Sequence, residues 1–236
     1  MSNKVSWFIT GTSRGIGLQF VKQLTAEPEN VVIASCRNPE DATDLQDLKN
    51  IAKGDLHIIK LEVTDEDAIK AAAEETSKIV GTNGLDYLLN NAAINPGMDS
   101  AFEFETSSLV NAFEHNVIAP AVLGKHFLPL LEKGNRKVIM NMTSGLGSIG
   151  LNLGPKCSSY SISKNAVNML TYKQSAARPD IIAFVVDPGW VKTKMGGEGA
   201  FLDPHESVTP FIKLLKNATH KDSGKFFGHD GSEKPW

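Results

Sequence analysis

The sequence is poor in cysteine, and this scarcity limits the kinds of protein it can encode. Only Cys36 and Cys157 occur among 236 residues, so a disulfide framework is not expected to hold the fold together. Neither cysteine lies in a C-x-x-C spacing, and the six histidines form no H-x-x-H or H-E-x-x-H pair. The sequence therefore predicts no metal centre and favours a reducing compartment.

Long apolar runs and a strong charge bias are also missing. No stretch approaches the roughly 20 apolar residues of a membrane-spanning helix, and the apolar run near the N-terminus is shorter than a signal-peptide core. A formal net charge of −3 gives no reason to expect nucleic acid or an anionic membrane as partner. The composition is typical of a soluble, cytoplasmic protein that binds neither.

What the sequence does contain is an alternation of short apolar runs and longer amphipathic segments. The short runs are apolar at successive positions, as in strands that are buried on both faces. They cover Val5–Thr10, Asn30–Ser35, Leu56–Leu61, Leu85–Asn90, Lys137–Met142, Ile181–Asp187 and Lys225–His229. The amphipathic segments predict helices over Gly15–Ala26, Glu40–Ala52, Asp65–Val80, Thr106–Leu131, Ser158–Ala177 and His205–Lys216.

This alternation predicts the fold class. Strands that alternate with helices form right-handed βαβ crossovers, which build a parallel sheet with helices on both faces. A chain of this length could hold two small domains, but no Pro-, Gly- or Ser-rich linker interrupts the series. The prediction is a single α/β domain over residues 1–236, with a doubly wound parallel sheet (a Rossmann fold) of about seven strands.

A glycine-rich turn joins the first predicted strand to the first predicted helix. It contains Gly11, Gly15 and Gly17 in the spacing G-x-x-x-G-x-G. Glycines allow the backbone to approach a pyrophosphate, which the free N–H groups of a helix N-terminus can bind. The spacing differs from the G-x-G-x-x-G fingerprint and could belong to an ordinary tight loop. Its place at the first strand–helix turn favours a dinucleotide site.

Two arginines flank this predicted site. A cation such as Arg14 is unfavourable beside a helix N-terminus unless an anion is present. Arg37 follows the second strand, where an NAD-binding domain usually has an acidic residue for the ribose 2′-hydroxyl. A guanidinium at that place can pair with a 2′-phosphate instead. Each arginine could be a solvated surface charge, but the two together favour NADP(H) over NAD.

Tyr160 and Lys164 are the candidates for the reacting centre. They lie four residues apart in a predicted helix, so that the phenol and the ammonium face the same side. The pair alone is a weak signal, because it also fits a half-buried tyrosine beside a surface lysine. Asn91 and Ser144 strengthen it, since each follows a predicted strand and parallel strands bring such residues to one crevice.

Taken in order, the motifs resemble those of the short-chain dehydrogenase/reductase family over nearly the whole chain. They are TGTSRGIG at 10–17, NNAA at 90–93, Asn116 in HNV, Ser144, YSISK at 160–164 and DPGWVKTKMGG at 187–197. The last motif and the ending FFGHDGSEKPW look most like the small NADPH-dependent carbonyl reductases related to sniffer and C-factor. The resemblance implies NADPH-dependent reduction of a ketone or aldehyde to an alcohol.

The resemblance also implies a role for each matching residue. Tyr160 would protonate the carbonyl oxygen as hydride arrives from C4 of the nicotinamide, and Ser144 would orient that oxygen. Lys164 would bind the nicotinamide ribose and lower the pKa of Tyr160, and Asn116 would hold a water linked to Lys164. The implied cofactor contacts are Gly11, Ser13, Arg14, Gly15, Ile16, Gly17, Arg37, Glu62, Val63, Asn91, Ala92, Tyr160, Lys164, Pro188, Gly189, Val191 and Thr193.

The sequence departs from the family pattern in three places. Ala93 replaces the last glycine of the NNAG motif. Glu62 stands where an adenine-contacting aspartate is usual, so we expect the contact from the backbone of Val63 rather than from the Glu62 side chain. Ser144 lies further upstream of the tyrosine than is common in the family, and Ser148 is an alternative hydroxyl.

The substrate is predicted only by class. Its lining is expected from residues 95–98, 151–154 and 190–202, where Leu153, Trp190, Met195 and Phe201 suggest a pocket for a hydrophobic or aromatic carbonyl compound. Some of these side chains could instead pack beneath a lid. Three glycines between 196 and 199 predict a mobile flap over the ligand.

For the oligomeric state and for the reaction catalysed, the sequence leaves more than one interpretation open. The apolar stretch Leu109–Leu131 could pair with a second subunit, so a homodimer is possible. A reductase of C=N bonds fits the same motifs, and so does an NADP-binding sensor without turnover, because a fold alone does not establish an activity. A sensor would be expected to lose Tyr160 or Lys164, and this sequence keeps both.

Overall fold

A seven-stranded parallel sheet runs through the part of the chain that the computed structural model describes, residues 4–236. The strands are β1 (Val5–Thr10), β2 (Asn30–Cys36), β3 (Asp55–Lys60), β4 (Tyr87–Asn90), β5 (Val138–Met142), β6 (Ile182–Asp187) and β7 (Phe226–Gly228). Their order is β3-β2-β1-β4-β5-β6-β7, and all pairings are parallel. This arrangement confirms the predicted doubly wound sheet.

Helices cover both faces of the sheet. They are α1 (Gly15–Leu24), α2 (Thr43–Asp47), α3 (Glu66–Val80), α4 (Thr106–Phe113), α5 (Ala119–Leu131), α6 (Ser158–Ala177) and α7 (Pro204–Asn217). Helices α1, α2 and α7 contribute to one hydrophobic cluster, and α3 and α5 contribute to the other. Within residues 4–236, none of these helices has both the length and the apolar character needed to cross a membrane.

The first strand shows why the strands are apolar at successive positions. Trp7 and Ile9 belong to the cluster on one face of the sheet and Phe8 to the cluster on the other, and all three side chains are buried. Trp7 also stacks on Tyr87 of β4, with the ring centroids 3.7 Å apart. Because helices cover both faces, neither side of the strand is left for polar residues.

The predicted helix over Glu40–Ala52 is wrong in its extent. Only α2 and a single 3-10 turn, Leu48–Asn50, are helical there. The residues before α2 form a turn that follows Pro39, whose carbonyl oxygen accepts a hydrogen bond from the Gln46 side chain at 2.9 Å. A local turn thus occupies residues that an amphipathic pattern assigns to a helix.

The predicted helix over Thr106–Leu131 is continuous but not uniform. A π-helical turn, Glu114–Ile118, lies between α4 and α5. Such turns accommodate an extra residue in a helix and are often found at functional sites. Here the turn contains Asn116, one of the residues implied by the family resemblance.

Candidate active site at the carboxyl edge of the sheet

The glycine-rich turn after β1 packs tightly against the end of β4. A Cβ on Gly17 would lie 2.2 Å from the Gly11 carbonyl oxygen and 2.7 Å from the Asn91 side-chain nitrogen, so a larger residue would push α1 away. The Asn91 side chain donates to the Thr10 carbonyl at 2.8 Å, and the Ala92 N–H donates to the Thr10 hydroxyl at 2.9 Å. The NNAA motif therefore holds the glycine turn in place.

A groove with a cavity volume of about 400 Å³ runs from this turn along the carboxyl edge of the sheet. Its size is ordinary for a small-molecule site. Most of the predicted cofactor contacts line it, namely Gly11, Ser13, Arg14, Gly15, Ile16, Gly17, Arg37, Glu62, Val63, Asn91, Ala92, Tyr160, Lys164, Pro188 and Thr193. Gly15 has a φ of +58°, and a Cβ there would lie 3.2 Å from the Thr193 methyl group. The absence of that Cβ keeps the groove open.

Two predicted contacts, Gly189 and Val191, do not line the groove. The Gly189 N–H donates to the Asp187 side chain at 3.1 Å. Val191 is buried and forms a bridge with Leu202. Both residues shape the segment that presents Pro188 and Thr193 to the groove.

The groove is rich in positive charge. Arg14 and Arg37 are exposed and line it, and within residues 4–236 neither guanidinium forms an ion pair. Lys194, which falls in the segment expected to line the substrate pocket, also lines the groove. The carboxylate of Glu62 accepts a hydrogen bond from the Thr64 hydroxyl at 3.1 Å, so it is partly engaged by its own turn. Together with the N-terminus of α1, which has no acidic residue in its first turn, this charge suits a phosphorylated dinucleotide.

Tyr160 and Lys164 share one side of α6, as their spacing predicted. The Lys164 ammonium nitrogen lies 5.5 Å from the centroid of the Tyr160 ring. It donates to the Met142 carbonyl at the end of β5, at 2.8 Å. Lys164 is only 1% exposed, whereas Tyr160 is half-buried, and both line the groove.

Burial shifts the pKa values of these two groups in opposite directions. It lowers the pKa of Lys164 to about 7, because the neutral amine is favoured away from water. The pKa of Tyr160 is raised, first by burial and then by the negative charge of Asp187, while a hydrogen bond with Ser144 opposes the rise. The resemblance implied a lowered pKa for Tyr160. The shift caused by burial and Asp187 is in the opposite direction.

The buried lysine leads to a stability prediction. Between about pH 7 and pH 10.5 the unfolded chain carries a proton on Lys164 that the folded chain lacks, so stability rises with pH across this window. Replacing Lys164 with methionine removes the buried amine and should stabilise the fold at pH 7 by on the order of 1–4 kcal/mol, because each unit by which burial lowers its pKa corresponds to about 1.4 kcal/mol, partly offset by the lost hydrogen bond to Met142. The variant should also lose that part of the pH dependence. Thermal unfolding from about pH 7 to pH 10 measures both effects.

An exposed lysine provides the control for this stability experiment. Lys49 is exposed on the 3-10 turn after α2, and Lys49→Met should keep the wild-type dependence on pH. A Lys164→Met variant that melts below wild type at pH 7, or that retains the wild-type slope, would contradict the prediction.

Ser144 and Ser148 have different partners, which separates the two candidate hydroxyls. Ser144 is the second residue after β5, its oxygen accepts from the Leu146 N–H at 3.2 Å, and its hydroxyl lies close enough to Tyr160 to lower the pKa of the phenol. The Ser148 hydroxyl donates to the Pro235 carbonyl at 2.7 Å. Ser144 is therefore the hydroxyl beside the phenol, and Ser148 fastens its loop to the last residues of the chain.

The C-terminal contact with this loop is extensive. Besides the bond from Ser148, the Gly150 N–H donates to the Trp236 carbonyl at 2.8 Å. A Cβ on Gly150 would lie 2.8 Å from the Pro235 side chain. The Trp236 ring lies 5.9 Å, centroid to centroid, from Phe226 of β7. The loop that follows Ser144 is thus held by residues more than eighty positions away.

Asn116 connects the loop after β4 to α6. Its side-chain oxygen accepts from the Ile94 N–H, and its amide nitrogen donates to the Ile94 carbonyl and to the Ser163 hydroxyl, each at 2.9 Å. Asn116 is buried, and it forms no direct hydrogen bond with Lys164 among the described residues. It contacts instead the residue that precedes Lys164. The water-holding role implied by the resemblance stays a prediction.

The segment after β6, residues 190–202, is closed on itself by hydrogen bonds. The Trp190 indole N–H donates to the Gly196 carbonyl at 2.7 Å, and the N–H groups of Phe201 and Leu202 both donate to the Trp190 carbonyl at 3.2 Å. The Trp190, Met195 and Phe201 side chains nevertheless stay about half exposed or more. They form an apolar rim beside the groove. The predicted mobility of this flap stays a prediction.

Several groove residues were not predicted as cofactor contacts, although Asn95, Lys194 and Met195 fall in segments expected to line the substrate pocket. They include Cys36, Asn95, His115, Met142, Thr143, Lys194 and Met195. Met142 and Thr143 end β5 or directly follow it, so the rule that places ligands at the carboxyl ends of parallel strands would have found them. His115 and Lys194 carry no such signal beyond their position next to Asn116 and Thr193.

This fold and site place the chain in a known class of enzymes. A family model described as short chain dehydrogenase matches residues 6–200, which is most of the sequence. The chain belongs to the short-chain dehydrogenase family and is an oxidoreductase, as the order of its motifs predicted.

Individual relatives define the resemblance further. The NADPH-bound carbonyl reductase from chicken fatty liver is 37% identical, with a TM-score of 0.91, and the match covers 99% of this chain and 100% of that chain. Carbonyl reductase Sniffer of D. melanogaster is 32% identical, with a TM-score of 0.94 and the same coverage. An uncharacterized oxidoreductase of Schizosaccharomyces pombe is 31% identical over 254 residues, covering 100% of this chain and 99% of the relative. The predicted likeness to sniffer-type carbonyl reductases is confirmed.

Proposed function

We propose that this enzyme reduces the carbonyl group of a ketone or aldehyde to an alcohol with NADPH. The observation that carries the proposal is the placement of Tyr160 at the groove, with the Lys164 nitrogen 5.5 Å from its ring centroid and the Ser144 hydroxyl close enough to lower its pKa. All three lie at the carboxyl edge of the sheet, next to a groove that fits a dinucleotide. The carbonyl reductases of chicken and fly that this chain resembles support the same reaction.

The groove would hold the cofactor by its phosphates. The pyrophosphate would lie at the N-terminus of α1, where the glycine turn lets it approach the backbone. Arg14 and Arg37, both exposed and without an ion pair in the described chain, would bind the 2′-phosphate. The nicotinamide end would lie between Thr193 and Tyr160, and bound NADPH supplies the hydride. The structurally similar chicken enzyme is NADPH-bound.

Tyr160 would donate the proton. Because burial and Asp187 raise its pKa, the phenol is protonated at neutral pH and can serve as a general acid toward a carbonyl oxygen. Ser144 would hydrogen-bond that oxygen and hold it within reach of the phenol. Lys164 would bind the ribose hydroxyls, and Asn116 would keep α6 aligned with the loop after β4.

The substrate is proposed to be hydrophobic. The exposed rim formed by Trp190, Met195 and Phe201 is the surface that an aromatic or aliphatic group would cover on binding. A second copy of the chain stays a predicted partner, since α4 and α6 expose Val110 and Met169. The cytoplasmic location predicted from cysteine usage also stays a prediction, and it fits two cysteines that are both free.

NADPH consumption with a panel of aromatic ketones, aldehydes and diketones tests the proposal. We expect turnover of at least one aromatic ketone with NADPH, and much slower turnover with NADH. NADPH binding without turnover of any member of the panel would favour the sensor alternative and contradict the proposal. Including a cyclic imine in the panel separates C=O from C=N reduction.

A further inference from the structure

One carboxylate in the site has no place in the proposed reaction. Asp187 is the last residue of β6, and its side chain is half-buried at the edge where the active-site residues converge. One of its oxygens, Oδ1, accepts a hydrogen bond from the Gly189 N–H at 3.1 Å. The other, Oδ2, accepts no hydrogen bond and forms no ion pair with any part of the chain from residue 4 to residue 236.

The free oxygen faces the loop that carries the reacting hydroxyl. A Cβ on Gly145, the residue after Ser144, would lie 3.1 Å from Asp187 Oδ2. The same point is 3.2 Å from a Leu153 methyl carbon and 3.5 Å from a Leu151 methyl carbon. The carboxylate thus shares a small space with the backbone of the Ser144 loop and with two apolar side chains.

The negative charge of Asp187 also acts on the Tyr160 phenol, because it raises the pKa of that group. Within residues 4–236 Asp187 forms no salt bridge, and the Lys164 side chain donates to the Met142 carbonyl instead. A carboxylate oxygen that is partly withdrawn from water strongly favours a hydrogen-bond donor. Within the described chain nothing supplies that donor, so it has to come from solvent or from a ligand.

We infer that Asp187 Oδ2 accepts a hydrogen bond from a hydroxyl group on the substrate, placed next to the carbonyl that is reduced. The preferred substrates are then α-hydroxy ketones with an apolar remainder, which the rim of Trp190 and Phe201 covers. Ketones with a carboxylate in the same place are disfavoured, because two negative charges would meet at short range. This inference rests on the proposed carbonyl reduction and names its substrate class.

The substitution Asp187→Asn gives a sharp test because it reverses the polarity of one position. To keep accepting the Gly189 N–H, the asparagine must place its oxygen at the Oδ1 position, which leaves an amide N–H₂ at the Oδ2 position. An acceptor there becomes a donor without a change in size. The variant should therefore lose its preference for a hydroxyl and tolerate a carboxylate.

The probes are acetophenone and three derivatives: α-hydroxyacetophenone, α-methoxyacetophenone and benzoylformate. For the wild type, kcat/KM for the hydroxy ketone should exceed that for the methoxy ketone by about 10- to 100-fold, as for a hydrogen bond to a charged group. In Asp187→Asn this ratio should fall toward one. The ratio of benzoylformate to acetophenone should rise by about tenfold or more. Because each ratio compares kcat/KM for two ketones with the same variant, any change in turnover that affects both ketones equally cancels.

Glu74→Gln is the matched control, since it removes an exposed carboxylate on α3 that lies outside the groove. Its two ratios should equal those of the wild type. If Asp187→Asn keeps the wild-type ratios while acetophenone is still reduced, the role of Asp187 is overturned and the proposed function stands. If the wild type reduces none of these ketones or the wider panel, the proposed function itself fails. Should the variant not fold, a wild-type hydroxy-to-methoxy ratio near one overturns the inference alone.

Discussion

Replacing Tyr160 with phenylalanine is expected to lower kcat for ketone reduction with NADPH by about 10²- to 10⁴-fold, the usual contribution of a general acid. The substitution removes only the phenolic hydroxyl, which lies near Ser144, and leaves the ring beside Lys164. The affinity for NADPH should change little, because the phosphate-binding turn and the arginines are untouched. Single-turnover kinetics together with a fluorescence titration of NADPH measure the two quantities separately.

Tyr172→Phe is the matched control for this experiment. Tyr172 lies on the same helix, α6, but is 50% exposed and lies outside the groove. It should keep the wild-type kcat. A Tyr160→Phe enzyme with near-wild-type turnover would show that the proton comes from another group, and the proposed role of the phenol would be wrong.

Replacing Arg37 with glutamine is expected to reduce the preference for NADPH over NADH by about 10- to 100-fold, as the loss of a charge-assisted hydrogen bond predicts. Arg14→Gln should have a similar effect, because both guanidinium groups line the groove and neither is paired within residues 4–236. The loss should appear as a higher KM for NADPH, with little change for NADH. Ratios of kcat/KM for the two cofactors, measured with one ketone, provide the test.

Lys49→Gln serves as the control for the loss of one positive charge. Lys49 is exposed and lies outside the groove, so its replacement should leave the cofactor ratio unchanged. If the double variant Arg14→Gln/Arg37→Gln still prefers NADPH as the wild type does, another group binds the 2′-phosphate. Lys194 would then be the next residue to replace, since it lines the same groove.

The strands could be predicted well because their burial is two-sided. Successive apolar residues in β1 leave little choice of interpretation, and its predicted bounds, Val5–Thr10, agree with the structure. The helix over Glu40–Ala52 was harder, because an amphipathic pattern does not reveal a competing turn anchored at Pro39. The π-helical turn at Asn116 could not be predicted either, because the pattern of apolar residues does not change there. A single domain over residues 1–236 stays a prediction, consistent with the one sheet that all seven strands share.

The candidate site was predictable where its residues lie in local motifs. Tyr160 and Lys164 are four residues apart on one helix, so their proximity follows from helical geometry. The position of Ser148 does not follow in this way, because its partner Pro235 is 87 residues distant in the chain. The raised pKa of Tyr160 could not be predicted from the sequence either. It depends on how deeply the phenol is buried and on its proximity to Asp187, which is distant in the sequence. The sequence prediction took the nearby lysine into account but not this carboxylate.

The hydrogen bonds from the Ser148–Gly150 loop to Pro235 and Trp236 bear on the order in which parts of the chain can fold during synthesis. Synthesis proceeds from the N-terminus, and the strands up to β6 emerge from the ribosome before residues 235 and 236 exist. A nascent or prematurely terminated chain can therefore form most of the sheet while the loop beside Ser144 lacks its anchor. A chain that stops before Pro235 lacks the two hydrogen bonds that fasten the Ser148–Gly150 loop next to Ser144.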